Sequence, residues 1–379
     1  MKIKDKIKNF IKPKLVHTNK IQISKENILE NIKLIKSIQP SAEIFPVLKS
    51  NAYGHGLKEI SQILDETDIS MIAVDSFPEY QIVNKYTDKK ILILGETIKE
   101  NYINFDFKTA SFCVYNKDTI NYLTSLNKKI NIHLFLNTGM NREGIQEENL
   151  TQILKIIKKS KLNIEGVCSH FSNADEIDFS ISQMQIDNFK QMHKKIEKAG
   201  FKPKYKHIGA SAGLMKIQDD FFTAYRPGLI VYGYNPLDKK DKDYKKLLGL
   251  KPALELFSTI VSIQNVKTGE GVSYTKSFIS KKDTKVGMIP FGYFEGLPRN
   301  LSNNWKVLIN DCYYNQVGNM CMNLACINID EKVKLQDNVK IISNNIKDKN
   351  NLYELAKKSE TVTREVLTRL NSSVHREII

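Results

Sequence analysis

Between Lys14 and Gly233 a short apolar run gives way to a longer amphipathic one eight times in succession. No other feature narrows the fold as far. A short apolar run bounded by polar residues reads as a strand buried on both faces, and a 3.6-residue apolar period reads as a helix that covers it. The strand candidates are residues 43–48, 70–74, 90–94, 110–114, 131–136, 166–170, 204–208 and 222–225. Over residues 149–159, Leu150, Ile153, Leu154 and Ile157 fall on one helical face, and residues 179–198 form a second helix stopped by Gly200. Eight such alternations predict an α/β fold with an N-terminal (β/α)8 barrel over residues 15–236.

The texture changes after Tyr234. A charged stretch over residues 237–246 reads as a surface linker. Beyond it, strand patterns at 254–262, 286–290, 306–309, 323–329 and 338–342, with one helix near 352–358, predict a mainly β C-terminal domain over residues 250–379. The basic residues 1–14 lack a continuous apolar core, so they read as an N-terminal arm and not as a secretory signal. No apolar run is long enough to span a membrane. The five cysteines make no CxxC pair and mostly sit in apolar runs, which suits small buried hydrophobes in a reducing cytoplasm and gives no metal site. The net charge of +15 is spread along the whole chain without a nucleic-acid motif, so no nucleic-acid partner is expected.

The chemistry concentrates at the end of the first barrel strand, in Phe45-Pro-Val-Leu-Lys49-Ser-Asn-Ala-Tyr53-Gly54-His55-Gly56. A lysine there sits at the catalytic mouth of a barrel. An apolar strand could desolvate its amine and lower its pKa, which favours Schiff-base chemistry. A solvated lysine at a strand end is the plainer reading of this segment alone.

The segment has company. Asn137-Thr-Gly-Met-Asn-Arg142 follows the fifth strand, Ser169-His170-Phe171-Ser172 the sixth, His207 to Ser211 and Gly213 the seventh, and Tyr225-Arg226-Pro227-Gly228-Leu229 the eighth. The β domain carries Gly271-Val-Ser-Tyr274, Tyr293 with Arg299, Cys321-Met322, and Arg364 to Arg376. In this order the motifs resemble the alanine racemase family over the whole chain after its first fifteen residues. The resemblance implies pyridoxal 5′-phosphate, carried by Lys49 as a Schiff base. It implies Lys49 and Tyr274 as the two catalytic bases, one on each face of the substrate Cα, with His170 as a neighbouring cation that tunes Tyr274 and is held by Arg226. Arg226 faces the cofactor's pyridine nitrogen, and Arg142 its ring hydroxyl. Ser211, Tyr53 and the backbone of Gly228 and Leu229 hold the phosphate. The Met322 backbone meets the substrate carboxylate, Tyr293 lines the access channel, and Arg142 also contacts substrate. A homodimer with shared active sites follows from the same resemblance.

Four positions depart from the family pattern. Phe135 stands where a carbamylated lysine is usual, Asn137 and Asn323 where aspartate is usual, and Arg364 where a phosphate-binding tyrosine is usual. Arg364 can bind phosphate strongly, and together these changes make the access side more positive. They widen the expected substrates from alanine to larger or charged amino acids. The rival readings are a non-catalytic pyridoxal-phosphate-binding barrel, disfavoured by the Tyr274 segment; a two-domain decarboxylase, disfavoured by the lack of a Gly-Gly-Gly run; and a DNA-associated basic protein.

Overall fold

The computed structural model describes residues 16–379; the basic arm expected at residues 1–14 lies outside them. The first strand, β1 (Lys20–Ile23), leads into a helix over Lys25–Ile38, whose first turn is capped by Ser24 Oγ accepting from the Asn27 N–H at 3.2 Å. Eight strands follow, each overlapping one of the predicted apolar runs. They are β2 (Glu43–Ile44), β3 (Met71–Val74), β4 (Lys90–Ile93), β5 (Ala110–Val114), β6 (Ile130–Phe135), β7 (Leu162–Cys168), β8 (Tyr205–His207) and β9 (Ala224–Tyr225). Of these, β7 begins four residues before its run.

Strands β3 to β8 form one curled parallel sheet, and β2 pairs in parallel with β9. Backbone bonds close the ring on both sides. Leu48 donates to Ala73 O at 2.7 Å, and Thr223 donates to Lys206 O at 3.0 Å. β2 and β9 are shorter than the runs that predict them. Backbone bonding nevertheless continues past them: Phe45 donates to Tyr225 O at 2.8 Å and Val47 to Pro227 O at 2.9 Å. Inside the ring Phe45, Val47, Met71, Leu92, Cys113, Phe135 and Cys168 pack as one buried layer. Helices Glu147–Lys158 and Ser180–Lys198 cover the outside, close to their predicted bounds, and Gly200 takes φ +91° just beyond the second.

The C-terminal half is β10 (Leu254–Thr259), β11 (Ser262–Val266), β12 (Gly271–Val272), β13 (Phe278–Ile279), β14 (Thr284–Ile289), β15 (Lys306–Ile309), β16 (Cys312–Val317), β17 (Ala325–Ile329), β18 (Asn338–Ile342) and β19 (His375–Ile378). Its main sheet has nine strands in the order β11-β14-β17-β16-β15-β18-β10-β1-β19. β1 is a barrel-segment strand by sequence and a β-domain strand by pairing, antiparallel to β10 and parallel to β19. The run at 254–262 divides into β10 and β11. Strands β16 and β19 and the helix Thr363–Arg369 have no counterpart in the sequence reading.

Two expectations are corrected. The charged segment 237–246 is not a merely solvated linker: Asp241 is buried and lies 2.6 Å from the buried Lys216 Nζ. Among the cysteines, Cys113 and Cys168 are buried but Cys312 is exposed at the first position of β16, next to the turn at Asn310–Asp311. Among the described residues no helix is long and apolar enough to cross a membrane.

Candidate active site

Lys49 lies just beyond the first barrel strand and begins an unusual turn. Ser50, Asn51, Ala52 and Tyr53 all have φ between 51° and 57°, and Gly54 follows at 78°. A left-handed turn of side-chain-bearing residues costs energy at each step and persists only where its surroundings hold it. Here the surroundings come from far away. Ser50 N–H donates to Glu79 Oε1 at 2.6 Å, and Arg376 Nε donates to the Gly54 carbonyl at 2.9 Å. A Cβ on Gly54 would stand 2.0 Å from the Leu367 carbonyl oxygen, so the helix Thr363–Arg369 rests directly on the turn.

Above the turn opens a cavity of about 650 Å³ at the barrel mouth. It is lined by Lys49, Tyr53, Arg142, His170, Ser211, Arg226, Gly228, Leu229 and Arg364. The fold thus gathers nine sequence-selected residues from five barrel-strand ends and from the C-terminal helix. The other three, Tyr274, Tyr293 and Met322, belong to the β domain, stand outside this cavity, and are 70%, 41% and 55% exposed.

The expected desolvation of Lys49 is not met. Its side chain is 43% exposed, and Asp75 Oδ1 lies 3.9 Å from the amine. Nor is His170 a cation. Burial and the charges of Arg226, Arg142 and Lys49 push its pKa down to about 3, so the imidazole is neutral near pH 7. The positive charge sits behind it on Arg226, whose Nη2 is 3.5 Å from His170 Nδ1. Guanidinium only donates, so His170 Nδ1 accepts and its proton is on Nε2.

Arg226 is buried, and its Nη1 and Nη2 donate to the carbonyls of His207 at 3.0 Å and Ser169 at 2.5 Å. Phe135 fills its place by packing at a tilt against Tyr115, with ring centroids 4.7 Å apart. Arg142 is paired instead with Glu143, whose Oε1 accepts from Nε at 3.0 Å and also contacts Nη2. The two asparagines also find partners that aspartate would lose. Asn137 Nδ2 donates to Asn141 Oδ1 at 2.9 Å, and Asn323 Nδ2 donates to Glu295 Oε1 at 2.7 Å, where a carboxylate would meet another carboxylate.

One end of the cavity is built for an anion. Arg364 has no carboxylate within 4 Å among the described residues. Its charge partly offsets the rise in the Tyr53 pKa that burial causes. Ser211 Oγ accepts from the Gly228 N–H at 3.1 Å, and a Cβ on Gly228 would sit 2.4 Å from the Tyr53 hydroxyl. Only glycine permits that approach. A guanidinium, two hydroxyls and a side-chain-free backbone suit a phosphate group, with the Lys49 amine available elsewhere in the same cavity. Sequence reasoning missed Asp75 and Glu143 in loops and Glu79 in the first turn of the helix Phe77–Val83, because a lone carboxylate carries no periodic signal of its partner.

A barrel with a mouth lysine, a cationic pocket beside it and an appended β domain defines a class of two-domain barrel enzymes. Comparison with known proteins narrows it. Residues 23–236 match the family model for the N-terminal domain of alanine racemase, and residues 253–378 match the model for its C-terminal domain. The alanine racemase of Borreliella burgdorferi is 34% identical over 97% of this chain and 99% of its own length. That of Carboxydothermus hydrogenoformans is 32% identical over 94% and 98%. The structure of alanine racemase from Clostridium difficile 630 superposes with a TM-score of 0.89 at 28% identity, covering 97% of each chain. The Bacillus anthracis alanine racemase, solved with bound L-Ala-P, gives 0.89 at 26% identity over 96% of each chain. The chain belongs to the alanine racemase family.

Proposed function

We propose that this protein interconverts L- and D-alanine, with pyridoxal 5′-phosphate held in the Lys49 cavity and with two chains sharing their active sites. The observation that carries the reading is the meeting, in one cavity, of the Lys49 amine with a pocket made by Arg364, Ser211, Tyr53 and Gly228. When bound, the cofactor supplies an aldehyde that takes an amine and an electron-withdrawing ring that acidifies the alanine Cα–H.

The chain's own residues do the rest. Arg364, Ser211 and Tyr53 anchor the phosphate, and Gly228 lets it approach the backbone. Arg142, steered by Glu143, and Arg226, steered by backbone carbonyls, fix the ring. Lys49 takes or returns the Cα proton on one face. Racemisation needs a second group on the other face, and Tyr274 serves it. Tyr274 lies outside its own cavity, and Tyr293, Phe294 and Met322 are exposed on the same β domain. That supports delivery of Tyr274 into the barrel of a second copy. There His170, with its proton on Nε2, donates a hydrogen bond to the phenol oxygen, while Arg226 behind it favours a phenolate.

The test is to load the purified protein with pyridoxal 5′-phosphate and follow L-alanine by chiral chromatography. Reduction of the loaded protein and peptide mapping should place the pyridoxyl group on Lys49. Accumulation of D-alanine in wild type and its loss in Lys49→Ala are the expected results. Label on another lysine would reject the assignment.

A further inference from the structure

Arg226 is buried, yet among the described residues no carboxylate lies within 4 Å of it. A buried cation without a counter-ion is costly, so its charge must be answered some other way. The barrel interior supplies an answer. His207 Nδ1 meets Arg226 Nη1, and His207 Nε2 lies 2.7 Å from His133 Nδ1. His133 Nε2 faces Glu165 Oε2 at 3.6 Å, an ion–dipole contact longer than a hydrogen bond. Glu165 in turn holds Lys90 Nζ at 2.6 Å and Ser111 Oγ at 2.6 Å. His133, His207 and Ser111 are fully buried and Glu165 is 9% exposed.

The direction of this line is determined. Arginine can only donate, so His207 Nδ1 accepts. A neutral His207 then carries its proton on Nε2 and donates to His133 Nδ1. A neutral His133 carries its own proton on Nε2, pointing at the one carboxylate in the line. Burial and the Arg226 charge lower the pKa of both imidazoles, which agrees with neutral rings. The backbone is shaped for this. The β6–β7 register shifts between Ile132 and His133, and a Cβ on Gly166 would stand 2.3 Å from His133 Nδ1. Arginine does not release its proton, so the line orients and does not conduct.

We propose that Glu165, at the closed end of the barrel, is a positioning residue for Arg226 at its mouth, acting through His133 and His207 locked as Nε2–H tautomers. The inference rests on Arg226 belonging to the site described above. It also separates Glu165 from its surface partner: Lys90 is 42% exposed, and its ion pair is dispensable to the line. The charged groups near Glu165 are Lys90 on β4, His133 on β6 and Lys204 beside β8, with Arg226 beyond the histidines.

The experiment labels the histidines of the holoenzyme with 15N and reads the tautomers of His133 and His207, assigned by single His→Gln variants. In wild type both rings should be Nε2–H from about pH 6 to about pH 9. Beyond the two assignment variants this arm needs no substitution and no activity, so it decides the relay even if racemisation were absent. Glu165→Gln should change at least one tautomer and lower kcat about tenfold with KM for alanine little moved, since a charge-assisted contact behind Arg226 is lost. Glu165→Asp should keep the wild-type tautomers and recover most of kcat. Lys90→Met should stay within about twofold of wild type. An Nδ1–H or doubly protonated His133 in wild type overturns the proposal. So does a Glu165→Gln protein with wild-type tautomers and kcat, or a Lys90→Met protein as impaired as Glu165→Gln.

Discussion

Arg376, in the last strand, donates its Nε to the carbonyl of Gly54, 322 positions earlier in the chain, at 2.9 Å. Its Nη1 also binds the carbonyls of Asn371 at 3.1 Å and Val374 at 2.8 Å. One guanidinium therefore fastens the end of the β domain to the left-handed turn that presents Lys49. The geometry predicts that Gly54→Ala is among the most damaging single changes outside the cavity. It forces a Cβ against the Leu367 carbonyl at φ +78°. Denaturant unfolding should show a loss of more than about 3 kcal/mol, and Arg376→Ala a smaller loss of about 2 kcal/mol. A Gly54→Ala midpoint matching wild type would mean the turn is not clamped.

Active-site sharing makes a numerical prediction. Lys49→Ala and Tyr274→Phe should each lose racemase activity by orders of magnitude. Unfolded together and reassembled at equal amounts, they should recover about a quarter of wild-type activity: half the dimers are mixed, and each mixed dimer has one intact site of two. Proven heterodimers without recovery would return Tyr274 to its own barrel.

Stability should depend on pH through Glu165. Burial alone would raise its pKa, but His133, Lys90 and Ser111 outweigh burial and bring it down to about 2. A depressed carboxyl stabilises the fold at pH values above its unfolded pKa, and that stabilisation disappears as pH falls through the folded value. The contribution is about 3 kcal/mol near pH 7. Glu165→Gln should therefore unfold at lower temperature than wild type at pH 7, with the gap narrowing between about pH 4 and pH 2. A gap that stays constant with pH would assign the loss to packing.

Arg364 decides between phosphate and substrate. The proximity of its charge to Tyr53, in the cavity with Ser211 and Gly228, places it with the anion pocket. Arg364→Tyr should therefore raise the Kd for pyridoxal 5′-phosphate by about ten- to a hundredfold, the value of a charge-assisted contact. The relative kcat/KM values for alanine, serine, glutamate and lysine should barely change. A reordering of those substrates with cofactor affinity intact would instead make Arg364 a selectivity residue and support the wider substrate range.

Exposure of the β-domain aromatics gives a last check. If Tyr293, Phe294 and Met322 meet a second chain, Phe294→Asp should shift the protein from dimer to monomer in sedimentation, because a carboxylate cannot be buried there unpaired. Lys49 labelling by the cofactor should survive, since the barrel cavity is intact in one chain.

By itself the sequence determined the eightfold strand–helix alternation, the change to β structure after Tyr234, and Lys49 at a strand end. Apolar periodicity and motif order are local properties, and local properties survive being read one residue at a time. Tertiary structure alone decided the rest. β1 joined the far sheet because pairing partners are chosen by the fold and not by sequence distance. Asp75 came beside Lys49, and Glu143 became the partner of Arg142. His170 was neutral because burial and three cations act on it together, a sum no single residue type reveals. The line from Glu165 through His133 and His207 to Arg226 exists because parallel strands lay residues from β6 to β9 across one interior, where low dielectric makes every unpaired charge seek a partner.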